Sequence, residues 1–150
     1  MSKLRQYWSD VLAAGACAAL FSGIPSTVYA LVTGGDVFEA TRAAGSMIVP
    51  STSTDGRLFI AAAVVHLAVS FFWTAILVWL LPHKRTVLWA MVALSIIAVL
   101  DLLVIGRMFP QISALAFWPQ FADHLAFGAL LGATLEWQRR GRRSIIGSGR

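Results

Sequence analysis

Apolar residues in this chain fall into four long runs, separated by short polar or turn-forming stretches. The runs cover residues 11–32, 58–81, 87–105 and 119–137. At about 1.5 Å of rise per residue, an α-helix of roughly 20 residues crosses a hydrocarbon core of about 30 Å. The pattern therefore predicts an all-α fold, a four-helix transmembrane bundle that forms one domain over residues 1–137.

Two segments outside the four runs carry their own predictions. Between the first two runs, Asp36 and Glu39 make the D-x-x-E pattern that is typical of a helix start, and apolar positions follow on one face. We expect a short interfacial helix there, lying in the membrane surface rather than crossing it. The last segment, 138–150, is basic and contains Gly and Ser. It is predicted to be a disordered cytoplasmic tail.

The composition supports a membrane class. Hydrophobic residues make up 58% of the chain and charged residues 13%, with a mean hydropathy of +0.74. A soluble domain has about 25% charged residues. A cleaved signal peptide is an alternative for the first run, because Val28-Tyr29-Ala30 resembles a cleavage site. The run is longer than a usual signal h-region and follows Asp10, so a membrane span is favoured.

The basic residues predict the orientation of the spans. With the N-terminus inside, nine of the 12 Lys and Arg residues fall on the inner side, and Arg42, Arg57 and Arg107 fall on the outer side. The inner nine are Lys3, Arg5, Lys84, Arg85, Arg139, Arg140, Arg142, Arg143 and Arg150. Cytoplasmic loops carry such an excess of positive charge. We therefore expect a bacterial-type inner-membrane protein with four crossings and both termini in the cytoplasm.

The spans contain few ionisable residues, and these are predicted to lie at a similar depth. Counted along each helix, Asp101 lies about 6 Å, His124 about 7 Å and His66 about 12 Å below the outer end. Pro25, which breaks the helical hydrogen-bond pattern of the first span, lies about 10 Å below its own outer end. All four positions fall in the outer half of the membrane.

The functional hypothesis is a site that binds or passes a proton, a cation or a small solute. Its candidate residues are Asp101, His66, His124, Asp123, Arg107, Ser70 and Pro25. A carboxylate in a span costs about 2.5–3.5 kcal/mol at the centre, which favours a paired, neutral or hydrated Asp101. In the alternative interpretation these residues form structural hydrogen bonds between helices, and the chain is a structural or accessory subunit.

A cofactor-binding redox subunit is a further alternative. His66, His124 and Asp101 could form a two-histidine, one-carboxylate metal site, or the two histidines could bind a haem. The histidines differ in depth by about 5 Å, and no H-x-x-H, E-x-x-H or C-x-x-C-H spacing supports either group. No cofactor is therefore favoured.

Other functional classes find little support in the sequence. A nucleotide-binding glycine motif and a G-x-S-x-G motif are both absent, so a non-enzymatic role is favoured. The basic cluster after the last span fits attraction to anionic lipids better than nucleic-acid binding. The expected partners are the lipid bilayer and either further copies of the chain or a larger membrane complex.

Two segments carry a resemblance to a known group of proteins. Gly23-Ile24-Pro25-Ser26-Thr27 and the segment from Pro119 to His124, PQFADH, are similar to those of small, uncharacterised bacterial four-helix membrane proteins. The resemblance implies a four-helix inner-membrane fold and no activity.

Overall fold

The chain folds into helices that correspond closely to the four apolar runs. The computed structural model describes residues 2–147, with side chains described as far as Arg142. Its α-helices are α1 (Lys3–Phe21), α2 (Ile24–Thr33), α3 (Glu39–Gly45), α4 (Asp55–Leu80), α5 (Thr86–Leu100), α6 (Pro110–Ser113) and α7 (Phe117–Gly147). A π-helical segment (Asp101–Ile105) and a 3₁₀ turn (Gly106–Met108) follow α5. Within these described residues there is no strand, so the prediction of an all-α fold is confirmed.

Three helical stretches are long and apolar enough to cross a membrane. They are Lys3–Thr33, which joins α1 and α2, then Asp55–Leu80, and Thr86–Met108. These stretches are compatible with a membrane protein. The fourth predicted span, 119–137, lies inside α7, a helix of 31 residues that is not among the three. Gln120, Asp123 and His124 lower the apolar character of its first half.

The first of these stretches, which corresponds to the first predicted span and is called the first span below, is interrupted by a bend between α1 and α2. Pro25 has no N–H, and the Ser26 and Thr27 hydroxyls both donate to the Gly23 carbonyl, at 3.2 and 2.8 Å. The Gly23 carbonyl also accepts from the Thr27 N–H, at 3.1 Å, so three donors converge on it at the start of α2. The predicted break at Pro25 is present in the structure.

Helix α7 is the central element of the packing. It contacts α5, α1 and α2, while α4 packs on α1 and α3. A Cβ added at Gly132 would lie 2.5 Å from the Val87 Cα, and one added at Gly128 would lie 2.9 Å from the Ala90 carbonyl oxygen. These glycines therefore allow α7 to approach the α5 backbone closely.

The apolar core lies beside the turn that joins α4 to α5. Leu131 and Leu135 of α7 are fully buried there, in one cluster with Leu77 of α4, Leu81 just after α4, and Leu94 of α5. The beginning of α1 contributes Val11 to the same cluster. The opposite half of the molecule contains most of the ionisable residues of the predicted spans.

The end of α7 is tied to the other elements at the core end of the molecule. Arg142 donates to both carboxylate oxygens of Asp10 in α1, at 2.7 and 3.0 Å. Arg139 donates to the Pro82 carbonyl and to the Thr86 hydroxyl in the α4–α5 turn region. Residues 138–147 continue α7 as a helix, and Arg139 and Arg142 tie this part of the chain to the α4–α5 turn and to Asp10. The disorder and cytoplasmic location of the tail stay predictions. Residues 148–150 lie outside the described part.

The short helix between the first two spans is present, but it begins later than its sequence pattern suggests. Helix α3 starts at Glu39 and packs on α4, where a Cβ at Gly45 would overlap the Leu58 carbonyl. Asp36 accepts from the Phe38 N–H and pairs with Arg42, which also lies 3.5 Å from Asp55. These contacts fix α3 to the start of α4. Its placement in a membrane surface stays a prediction.

Candidate functional site

A cavity of about 460 Å³ lies in the half of the molecule opposite the Asp10–Arg142 pair. Its walls come from the end of α1 and the start of α2, α4 between Phe59 and Trp73, the end of α5, and the start of α7, with α3 forming one further wall. The polar side chains that line it are Ser22, Ser26, Thr27, Thr41, His66, Ser70, Asp101, Gln120, Asp123 and His124. Five of the seven predicted site residues thus line one cavity.

Asp101 and His124 form the central contact of this cavity. The His124 Nε2 atom lies 3.4 Å from Asp101 Oδ2, and its Nδ1 atom lies 2.9 Å from the carbonyl oxygen of Gln120, one turn earlier in α7. A carbonyl oxygen can only accept, so Nδ1 carries a proton and donates it. Nε2 then faces the carboxylate either as a donor in the imidazolium or as an acceptor from a protonated carboxyl. In both forms one proton lies between the two residues.

The π-helical segment positions Asp101. Asp101 is its first residue, and the Asp101 carbonyl accepts from the N–H of Gly106, five residues later, instead of the usual four. π-Bulges are rare and occur frequently at functional sites. The apolar run predicts a regular helix to Ile105 and gives no sign of the wider turn.

Asp123 joins α7 to the bend of the first span. Its Oδ1 atom accepts a hydrogen bond of 2.9 Å from the backbone N–H of Ser26. In a regular helix that N–H would donate to the carbonyl of Ser22. Pro25 does not line the cavity. It acts indirectly, because the bend that it imposes turns the next N–H toward Asp123.

His66 lies on the α4 side of the cavity and contacts α1. Its Nε2 atom is 2.9 Å from the carbonyl oxygen of Ala19, so the neutral ring donates from Nε2 and leaves Nδ1 as an acceptor. His66 and Asp123 line the same cavity. Ser70, one turn further along α4, is buried in the cavity wall.

Arg107 is the predicted site residue that the structure places elsewhere. It lies in the 3₁₀ turn after the π segment, is exposed, and does not line the cavity. Six residues separate it from Asp101, which turns its side chain to another direction. Among the described residues, no Lys or Arg lines the cavity. Gln120 and Ser26, which sequence reasoning did not select, contribute backbone groups that fix His124 and Asp123.

The positions of His66, His124 and Asp101 bear on the metal-binding alternative. Within residues 2–147, no group of three or more His, Cys, Asp or Glu side chains is arranged to hold a metal ion. The Nε2 atoms of His66 and His124, the usual ligand atoms, already face Ala19 and Asp101. The residues present therefore do not fit a three-ligand metal site built from His66, His124 and Asp101.

The cavity reaches the molecular surface on one side. Its exposed lining residues are Leu20, Gly23, Thr27, Ala63, His66 and Val69. All six belong to the first span or to α4, whereas the lining residues of α5 and α7 are buried or half-buried. The opening thus lies between the bend of the first span and α4.

The chain matches no protein-family model, no curated protein and no solved structure.

Proposed function

We propose that this chain is a non-enzymatic inner-membrane protein of four spans, whose cavity binds a proton or a small cation in the outer half of the membrane. Both termini face the cytoplasm, and α3 lies in the outer membrane surface. Helix α7 supplies the fourth span. Its polar positions face the cavity and the bend of the first span, so they need not contact lipid.

The position of the two ends of the chain supports this topology. The pairs Asp10–Arg142 and Arg139–Thr86 gather the start of α1, the α4–α5 turn and the end of α7 at one end of the molecule. Most of the basic residues lie there, as the positive-inside rule requires of a cytoplasmic side. Arg42 and Arg57, beside the start of α4, lie at the other end.

The observation that carries the proposal is the contact between His124 Nε2 and Asp101 Oδ2. Because Nδ1 of the same ring is committed to the Gln120 carbonyl, loss of the shared proton would leave a lone pair facing a carboxylate. The pair therefore holds one proton while the ring and the carboxylate stay in this geometry. A cation that enters or leaves the cavity changes the electrostatic free energy with which the pair binds that proton.

Nitrogen-15 NMR of histidine-labelled protein in lipid nanodiscs tests this proposal. The chain has three histidines, and His83, exposed in the α4–α5 turn, serves as an internal reference. We expect His124 to keep its Nδ1 proton while Nε2 gains and loses one as the pH is changed. Asp101→Asn removes the carboxylate and is expected to shift that transition to lower pH.

Glu39→Gln is the matched control, since it also removes one carboxylate but lies outside the cavity. Its His124 transition is expected to coincide with that of the wild type. The proposal is wrong if His124 shows no transition in folded protein, or if Asp101→Asn and Glu39→Gln behave alike. A purely structural role for the pair predicts lower stability of Asp101→Asn and a wild-type His124 transition that does not respond to added cations.

A further inference from the structure

We propose that the cavity binds an organic monocation with an apolar body, such as a phosphonium or a substituted ammonium ion, admitted between the bend of the first span and α4. This inference rests on the proposed function, because it names the class of cation that the same cavity takes.

The charge of the cavity indicates a single positive charge on the ligand. Asp101 and Asp123 both line the cavity, together with two histidines and, in the described part of the chain, no Lys or Arg. The Asp101–His124 pair with its one proton has no net charge. When it is ionised, Asp123 adds one negative charge, which its hydrogen bond from the Ser26 N–H stabilises without neutralising it. A monovalent cation restores neutrality.

The size of the cavity distinguishes an organic cation from an inorganic ion. A volume of about 460 Å³ corresponds to roughly 15 water molecules, each taking about 30 Å³. It also lies within the range of about 300–1,000 Å³ that is usual for small-molecule sites. A bare metal ion would leave most of this space unfilled and would meet too few ligands.

The walls of the cavity suit an apolar body. Phe59 and Trp73 of α4, Phe127 of α7, and Leu94 and Ile97 of α5 line it beside the carboxylates. Aromatic faces attract cations, and they also pack against hydrocarbon groups. This combination of few polar groups with apolar and aromatic walls is typical of ligand pockets.

The opening gives the ligand a route from the bilayer. It lies between Thr27 and Ala63, at the level of the bend of the first span, where both elements present apolar residues to their surroundings. Leu20 and Val69, which flank it, are exposed. An amphiphilic cation partitions into this part of a membrane with its charge toward the interface, so it can enter without crossing the packed core end.

Binding of tritiated tetraphenylphosphonium to the full chain in nanodiscs tests the inference, with protein-free nanodiscs as the background. The probe keeps its charge at every pH, so any pH dependence of its binding reports groups of the protein. We expect saturable binding that weakens on acidification as Asp123 gains a proton. Asp123→Asn, which keeps an acceptor for Ser26 N–H, is expected to weaken binding about tenfold or more, and Asp123→Glu to retain most of it.

Three comparisons make the outcome decisive. Glu39→Gln should bind as the wild type does, and the neutral analogue triphenylphosphine oxide should not compete. Sodium at high concentration should compete weakly. The inference is overturned if folded wild-type protein binds no probe above background, or if Asp123→Asn binds it unchanged. The proposed function survives either result if the His124 transition still depends on Asp101, so the two proposals fail separately.

Discussion

Asp10 and Arg142, 132 positions apart, form a two-point ion pair in which Arg142 donates to both carboxylate oxygens at 2.7 and 3.0 Å. Asp10 is only 6% exposed, so its charge depends on this partner. Removing one member of a buried pair typically costs about 3–5 kcal/mol, and the partial exposure of Arg142 reduces this to about 1–3 kcal/mol. Asp10→Asn is therefore expected to lower the Tm in detergent by several degrees. Glu39→Gln is the control, and an equal Tm for the two variants would contradict the importance of the pair.

Two fully buried threonines provide a second prediction. The Thr74 hydroxyl has no hydrogen-bond partner within the described part of the chain, whereas the Thr86 hydroxyl donates to Pro82 and accepts from Arg139. Valine has nearly the shape of threonine without the hydroxyl. Thr74→Val is expected to raise the free energy of unfolding by about 1 kcal/mol or leave it unchanged, and Thr86→Val to lower it by about 1–3 kcal/mol. Chemical denaturation measures the free energy of unfolding of both variants. The prediction requires Thr74→Val to be the more stable of the two.

The close approach of α7 to α5 gives a third prediction. A Cβ at Gly132 would lie 2.5 Å from the Val87 Cα, and backbone atoms cannot yield as a side chain does. Gly132→Ala is expected to force the two helices apart at a cost of about 1–3 kcal/mol. A Cβ at Gly141, also in α7, meets no atom within 4 Å, so Gly141→Ala should keep or slightly raise stability. Thermal unfolding of the two variants tests this prediction. A Gly132→Ala protein as stable as the wild type would show that α5 and α7 do not pack this closely.

A substitution at the bend of the first span is expected to weaken ligand binding without lowering stability. Pro25→Ala restores an N–H that can donate to the carbonyl one turn earlier, so the Tm is expected to stay equal or rise. A straighter helix would move the Ser26 N–H away from Asp123, and tetraphenylphosphonium binding is expected to weaken roughly tenfold. Binding that is unchanged in a stable Pro25→Ala protein would show that the bend does not position Asp123.

The tautomers of the two histidines that line the cavity give a further prediction. His124 donates from Nδ1 to Gln120, and His66 donates from Nε2 to Ala19. In nitrogen-15 spectra at high pH, the two rings should therefore show opposite tautomers. Finding the same tautomer in both would contradict one of these hydrogen bonds, and the variants His124→Asn and His66→Asn assign which signal belongs to which ring.

The sequence was sufficient to predict the helices and much of the cavity. Hydrophobic run length predicts the spans, and counting along each helix places His66, Asp101 and His124 at similar depths because helical rise is nearly constant. The direction of each side chain is harder to predict. Arg107 follows a π segment and a 3₁₀ turn, which no sequence pattern marked, and it lies away from the cavity.

The roles of Ser26 and Gln120 were not predictable for a different reason. Each contributes a backbone group, an N–H to Asp123 and a carbonyl to His124, and every residue type except proline has both groups. Helix α7 continues past its last apolar residues, and Arg142 in this basic stretch pairs with Asp10. The two residues are 132 positions apart, so no local sequence pattern indicates the contact.

The π segment has a consequence for how sequences related to this one are to be aligned. Its wider turn holds one more residue than an α-turn, so positions after Asp101 are rotated by about 100° from where an uninterrupted helix would put them. A homologue that lacks one residue between 102 and 105 could keep Asp101 opposite His124 with a regular helix there. In an alignment, a single-residue gap at this point would then mark a change of helix type and not the loss of the carboxylate.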